Sequence, residues 1–405
     1  MYGLLGKKLS HSYSPFIHSL FADYEYLLFE KSEEELADFV SDGNVEGFNV
    51  TIPYKKTVMK YLDLIDRSAE AIGSVNTVVR LSDGRLKGYN TDYFGFMSLI
   101  KKSGISIVGA KALILGTGGA SLAAGAVLSE LGAAETVFIS RSGENNYTNI
   151  ERHFDADIIV NATPVGMYPD CESSPLSLEG FKGLRAVYDL IYNPARTRLL
   201  LEAEEKGIPA FSGLRMLVEQ ARRASEIFTD SEISDEESER ALRTVELSMK
   251  NITLIGMPGC GKTTVGKILA NRLSKELVDT DEEIIKSAGR DIPSIFSEEK
   301  EEGFRKRETE ILKKFCYQSG RIIASGGGIV TVDKNYLILK QNCITVFINR
   351  STDALPTDGR PLSQTVGKEE LYRKRLPLYR KFCDIEIDGN GTPDEVADRI
   401  TEALK

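Results

Sequence analysis

Two glycine-rich turns, each set between an apolar run and a helical pattern, are where residue type and spacing in this 405-residue sequence first dictate chemistry. The later turn is the more specific. Gly256-Met257-Pro258-Gly259-Cys260-Gly261-Lys262-Thr263 has the spacing G-x-x-x-x-G-K-[ST], after a strand-like run at 251–255 and before a helix-like run at 263–273. Gly256, Gly259 and Gly261 let backbone N–H groups point at phosphate oxygens, and the helix N-terminus adds a favourable dipole. Lys262 neutralises the β- and γ-phosphates, while Thr263, followed by Thr264, can hold Mg²⁺. Asp279-Thr280-Asp281 stands at what reads as a strand end, where residues i and i+2 point to one side. One carboxylate can serve the metal and the other an acceptor hydroxyl. Phe304-Arg305 with Arg307-Glu308 lies on a charged helix. Ser325-Gly326-Gly327-Gly328 follows a strand at 321–324, where missing side chains leave room for a substrate ring.

The earlier turn, Gly116-Thr117-Gly118-Gly119-Ala120-Ser121, is a variant of the dinucleotide fingerprint, and a glycine-lined helix–sheet contact is its bland alternative. At the end of the next strand, where an NAD enzyme wants an acid for the ribose diol, stands Ser140-Arg141-Ser142. An acid would repel a 2′-phosphate; Arg141 and two hydroxyls welcome one, so the cofactor reads as NADP(H). Upstream, His11-Ser12-Tyr13-Ser14-Pro15 puts two hydroxyls two residues apart, suited to a carboxylate. The run 47–55 leaves a strand through Thr51 into a turn bearing Lys55, and Asn76 and Asp92 sit in further polar turns. Lys55 with Asp92 is a proton-transfer pair: an ammonium can protonate the alkoxide formed as hydride reaches a ketone. Taken singly, Ser12, Asn76 and Asp92 each read more readily as caps of helices and turns.

The elements that must position these groups alternate between strand-like and helix-like along the whole chain, which means α/β with parallel sheets. Strands are expected at 46–51, 75–81, 111–115, 136–140, 157–160 and 186–190. Helices are expected at 92–102, from the glycine turn to 131, at 213–228 and at 236–249, and a Ser32/Glu35 capping box is expected to open one to about residue 40. A new strand at 251 follows at once, so the domain boundary falls near 249 with hardly any linker. The apolar stretch 112–134 is interrupted by glycines and Glu130 and reads as strand, turn and helix rather than a membrane span.

The later motifs together resemble shikimate kinase across residues 250–405, joined by Arg360-Pro361-Leu362 and Arg375-Leu376-Pro377-Leu378-Tyr379. The resemblance implies Asp281 as base on the acceptor hydroxyl and Asp279 supporting Mg²⁺. Arg305 and Arg375 clamp the shikimate carboxylate beside Gly326, Gly327 and Gly328, and Arg360 swings in with a lid. The sequence departs from the family at 349–359, which is short and contains only Arg350, and the lid at 361–374 is a few residues short. The earlier motifs resemble shikimate dehydrogenase across residues 1–248, with further matches at Asn161-Ala162-Thr163, at 188–194 and at 216–221. That resemblance implies Ser12, Ser14, Thr51, Asn76, Tyr192 and Gln220 on substrate, and Lys55 and Asp92 in catalysis. Gly116, Gly118, Gly119, Ala120, Arg141 and Thr163 line the cofactor site.

The fold class that follows is α/β. A two-subdomain shikimate dehydrogenase has a substrate subdomain at 1–100 completed by 212–249 and a Rossmann-like cofactor subdomain at 101–211. A P-loop, nucleoside monophosphate kinase-like parallel domain follows at 250–405. The implied function is reduction of 3-dehydroshikimate to shikimate with NADPH, then phosphorylation to shikimate 3-phosphate with ATP, for aromatic amino acid biosynthesis. The alternatives are a dehydrogenase with a weakened kinase, and a metabolite-sensing regulator. The regulator should have lost catalytic groups and gained a DNA-binding segment, whereas Lys55, Asp92, Lys262 and Asp281 are all present. Charge agrees: the net formal charge of −9 argues against a nucleic-acid partner. Five scattered cysteines, with only His11, His18 and His153 as further soft ligands, argue against zinc and suit a reducing cytoplasm. No signal peptide is read at the start of the sequence.

Overall fold

The structure, a computed structural model, describes residues 1–9, 12–355 and 367–404. The chain divides into two compact units. One comprises Met1–Gly166, Glu172–Tyr192 and Arg198–Glu246; the other comprises Met167–Cys171, Asn193–Thr197 and Leu247–Lys405.

The first unit contains two sheets. Strands β1 (Tyr2–Gly6), β2 (Tyr26–Glu30), β3 (Gly47–Val50), β4 (Leu64–Ile65), β5 (Thr77–Arg80) and β6 (Leu86–Tyr89) form one in the order β2-β1-β3-β5-β6-β4. It is mixed rather than parallel throughout: β3 pairs antiparallel with β5, and β5 with β6. Residues 81–85 are too few for a crossover, so the chain must turn back, and Gly84 at φ +87° makes the turn. The second sheet is all parallel. Strands β7 (Lys111–Leu115), β8 (Glu135–Ile139), β9 (Ile158–Asn161), β10 (Ala186–Asp189) and β11 (Ala210–Ser212) run in the order β11-β10-β9-β7-β8. Every side chain of 112–115 is buried because both faces are covered. Ala112 and Ile114 enter one apolar cluster and Leu113 and Leu115 another. Strand order reverses at β7, so its carboxyl end opens a crevice of the kind that takes ligands in open α/β sheets.

The second unit holds one parallel sheet of β12 (Asn251–Ile255), β13 (Glu276–Asp279), β14 (Arg321–Ala324), β15 (Cys343–Asn349) and β16 (Ile385–Asp388), in the order β13-β14-β12-β15-β16. The central β12 is buried along its whole length.

Local signals placed most elements within a residue or two. The Ser32/Glu35 box forms by half: Glu35 accepts from the Ser32 N–H at 2.7 Å, but the helix begins only at Leu36. The stretch 112–134 resolves into β7, a turn and the helix Gly119–Glu130, and among the described residues no helix is long and apolar enough to cross a membrane.

Candidate functional sites

In the first unit a cavity of about 270 Å³ opens where the two sheets' carboxyl ends meet. Lys55 lies in the turn after β3, and Asp92 in the first turn of the helix Thr91–Ser103, whose N-cap is Asn90. The Lys55 Nζ and an Asp92 Oδ stand 2.6 Å apart, with side chains 21% and 11% exposed. A carboxylate at a helix N-terminus is favourably placed by the dipole, and from there Asp92 aims the ammonium into the cavity. Asn76 lines the same wall, its Oδ1 accepting from the Thr91 N–H at 2.6 Å, which ties the helix start to β5. Gln220, on the helix Leu214–Thr229, donates to the Leu217 carbonyl and accepts weakly from Thr91. Ser12, Ser14, Thr51, Tyr192 and Ala120 complete the lining among residues singled out by sequence. Ser12 also closes a local turn, its Oγ accepting from the Ser14 N–H at 3.2 Å, while the N-cap of the helix that follows is Tyr13. His11, which begins that motif, lies outside the described residues.

Asn49 was missed. It is 5% exposed and lines the cavity, accepting from the Tyr26 hydroxyl at 2.7 Å and donating to Thr77 at 2.9 Å. An amide between Phe48 and Val50 in a buried strand is the signal that pointed to it, since a buried polar group needs a reason. Behind it, His18 stacks on Tyr26 at 4.0 Å and pairs through Nδ1 with the Tyr24 hydroxyl at 2.6 Å. Burial pushes the His18 imidazole down from the ordinary 6.5 to about 3, so it is neutral.

The cofactor turn adjoins this cavity. Gly116, at φ +112°, is packed against the Ala162 carbonyl and Thr163, and a β-carbon there would come within 3.2 Å of each. A β-carbon on Gly119 would meet the Ser74 hydroxyl at 3.0 Å and the Lys55 stem at 3.8 Å, so the glycine turn and the lysine are neighbours. Over Gly118 there is open space within 4 Å, which leaves room for a pyrophosphate. Arg141 is exposed just past β8 and has no hydrogen bond or ion pair among the described residues. An unpaired guanidinium at this strand end, with no acid beside it, fits a 2′-phosphate.

In the second unit a cleft of about 410 Å³ is lined by Gly259, Gly261, Lys262, Thr263 and Thr264 on one wall. Gly256 starts the turn behind them. Lys262 Nζ donates to the carbonyls of Gly256 and Met257, both at 3.0 Å. Thr263 Oγ1 donates to Asp279 at 2.6 Å, so two hard oxygens stand together beside the lysine, a donor set that suits Mg²⁺. The strand-end geometry expected for Asp279 and Asp281 is not what forms. The strand stops at Asp279, which caps the helix Thr280–Ala288 and accepts from the Asp281 N–H at 3.0 Å. Aspartate is a strong N-cap, and that preference ends the strand before Asp281 is reached. Both carboxylates nevertheless reach the cleft. Burial raises the Asp281 carboxyl above the usual range, and the Asp279 charge adds to it.

Arg305 bonds Glu308 at 2.7 Å and Glu301 at 3.1 Å, and Arg375 donates to the Gly327 carbonyl at 3.0 Å. Glu308 is fully buried, and burial raises its carboxyl too. The glycine run has a reason beyond access for a ring. A β-carbon on Gly328 would collide with the Arg305 guanidinium, one on Gly326 with the Glu308 and Asp281 carboxylates, and one on Gly327 with Pro258 at 2.8 Å. Arg360 lies outside the described residues.

Comparison with known proteins follows the same division. Residues 4–78 match the family model of the shikimate dehydrogenase substrate binding domain, and residues 258–405 that of shikimate kinase. A shikimate dehydrogenase (NADP(+)) of Clostridium beijerinckii is 37% identical over 253 residues, which is 58% of this chain and 93% of that protein. Shikimate dehydrogenase 1 of Peptoclostridium difficile superimposes with a TM-score of 0.56 at 38% identity, covering 61% of this chain and 97% of its own. The Thermus thermophilus shikimate 5-dehydrogenase solved in complex with NADP(H) and shikimate gives 0.55 at 33% identity, covering 60% and 98%.

Proposed function

From the premise that this chain belongs to the shikimate dehydrogenase family and continues into a shikimate kinase domain, we propose that it performs two consecutive reactions. It reduces 3-dehydroshikimate to shikimate with NADPH, then phosphorylates the shikimate 3-hydroxyl with ATP and Mg²⁺. One observation carries the reading: one chain holds a cavity lined by hydroxyls, amides and the Lys55–Asp92 pair beside a dinucleotide turn, and a cleft lined by carboxylates and arginines beside a phosphate cradle.

In the first site NADPH supplies the hydride. The Ser12 and Ser14 hydroxyls receive the substrate carboxylate, and Asn76, Thr51, Tyr192 and Gln220 read its hydroxyls. Lys55 gives its proton to the carbonyl oxygen as negative charge develops there, and Asp92 keeps the ammonium aimed. Arg141 takes the 2′-phosphate, Thr163 walls the cofactor cleft, and Gly116, Gly118 and Gly119 admit the pyrophosphate. In the second site ATP supplies the phosphoryl group. Lys262 and the loop amides hold its phosphates, and Thr263 with Asp279 would hold Mg²⁺. Asp281 accepts the proton of the attacking hydroxyl; a carboxyl raised by burial is a better base than an exposed one. Arg305 and Arg375 grip the shikimate carboxylate as two forks. Free thiols at all five cysteines support a reducing, cytoplasmic setting with small-molecule partners.

Steady-state assays of each half-reaction test the proposal. Lys55→Ala should lower reduction by roughly 10²-fold or more and leave phosphorylation intact; Asp281→Asn should do the reverse. Loss of both activities in either variant, with folding preserved, defeats the assignment of two independent sites. Slow phosphorylation by the unaltered chain favours a weakened kinase instead.

A further inference from the structure

We propose that Arg350 is a nucleotide-binding residue of the phosphoryl-transfer site and that its guanidinium meets the α-phosphate end of ATP. The proposal rests on the kinase reading of residues 258–405. Sheet order supplies the first argument. The phosphate cradle leaves the central strand β12, and the groups assigned to the acceptor come from one side of it: Asp279 and Asp281 follow β13, and Gly326, Gly327 and Gly328 follow β14. In-line transfer puts the γ-phosphate toward that side. With the β-phosphate in the loop, the α-phosphate and the nucleoside must leave toward the other side, over β15 and β16.

Arg350 is the first residue after β15. Its stem is confined, because the Arg350 Cβ lies 3.2 Å from where a β-carbon on Gly389 would stand, and the Gly389 N–H is bonded to the Asn349 carbonyl at 2.8 Å. The side chain therefore runs back toward the cradle. Its Nη1 lies 4.0 Å from where a β-carbon on Gly261 would stand, the residue just before Lys262.

The second argument is charge. Of the other two arginines of this site, Arg305 is ion-paired with Glu308 and Glu301, although its Nε too is buried without a partner, and Arg375 donates to the Gly327 carbonyl. Arg350 has a buried Nε without a hydrogen-bond partner, and no ion pair among the described residues. A guanidinium has five donors and no acceptor capacity, so burying part of it without a counter-charge is unfavourable unless an anion completes it. The adjacent loop turns its amides toward an anion as well. Phosphate, with several acceptor oxygens and negative charge, is the ligand both features suit. Shikimate is not, because the groups assigned to the acceptor follow β13 and β14, whereas Arg350 follows β15 on the other side of β12.

The test uses the whole chain. KM values for Mg-ATP and for shikimate, and Kd for ADP by calorimetry, are measured for the unaltered protein, Arg350→Ala and Arg350→Lys. Reduction of 3-dehydroshikimate by NADPH reports folding in the same molecule. Arg350→Ala should raise the ATP KM and the ADP Kd about tenfold, the scale of one charge-assisted hydrogen bond, with the shikimate KM changed less than about twofold. Arg350→Lys, which keeps the charge, should recover most of the loss. An unchanged ATP KM and ADP Kd in Arg350→Ala, an equal rise in both KM values, or a lysine variant as weak as alanine overturns the phosphate contact. If the unaltered chain does not phosphorylate shikimate yet ADP binding still depends on Arg350, the kinase assignment fails and the nucleotide contact stands.

Discussion

The Gly327 carbonyl receives two donors, Arg375 Nη1 at 3.0 Å and the Tyr379 hydroxyl at 2.6 Å, and this sharing makes a quantitative prediction. Tyr379→Phe removes one donor but leaves the carbonyl bonded. The ring still stacks on Phe347, whose centroid is 4.9 Å away, so the cost should be the net value of one hydrogen bond, about 1 kcal/mol. Arg375→Met keeps the stem packed and removes a charged donor, costing about 2 kcal/mol. The double variant leaves the carbonyl with no protein donor. Because Gly327 is only half-buried, water recovers part of the loss, and an extra ~1 kcal/mol beyond the sum is the expected coupling. The chain has no tryptophan, so unfolding in urea is followed by far-ultraviolet circular dichroism, and the second unit's transition is the one that ADP moves upward. The two single losses adding to the double within ~0.5 kcal/mol would refute the shared-acceptor argument. The same loop carries substrate, so Tyr379→Phe should also raise the shikimate KM more than the ATP KM.

Arg141→Asp should turn the dehydrogenase from NADPH toward NADH, because a carboxylate repels a 2′-phosphate and accepts from a ribose diol; an unaltered chain that already uses NADH as well as NADPH contradicts the role given to Arg141. The buried His18 sets an acid limit. Its proton affinity is depressed in the fold, from the ordinary 6.5 to about 3, so stability is full above pH 6.5 and is lost as pH falls toward 3. Between pH 7 and pH 5 the first unit should lose about 2 kcal/mol, and His18→Asn should flatten that slope in calorimetry of the transition that NADP⁺ shifts. An equal slope in the variant shows that other groups govern acid unfolding.

Some of this protein is determined by sequence alone. The strands at 111–115, 251–255 and 321–324 begin and end where local pattern places them, and both glycine turns lie between strand and helix as their spacing requires. These features are legible because they are local. An apolar run bounded by glycine specifies its own backbone, and a phosphate cradle needs only eight consecutive residues and the strand and helix around them. The mixed first sheet was half-legible, since Ser82-Asp83-Gly84 marks the turn that forces β5 and β6 antiparallel. Tertiary structure decided the rest. Lys55 and Asp92, 37 residues apart, meet because β3 and β5 are neighbours and Asn76 pins the helix start between them. Asn49 and its support from Tyr26 and His18 depend on β1 lying between β2 and β3. The glycine run 326–328 is bare because Arg305, Glu308, Asp281 and Pro258 fill the space, and Arg350 reaches the cradle only because β15 lies beside β12. Strand order is the common cause. Apolar strands buried on both faces carry nearly the same pattern, so their sequences do not say which will be neighbours; packing of the whole sheet does, and with it which distant side chains share a cavity.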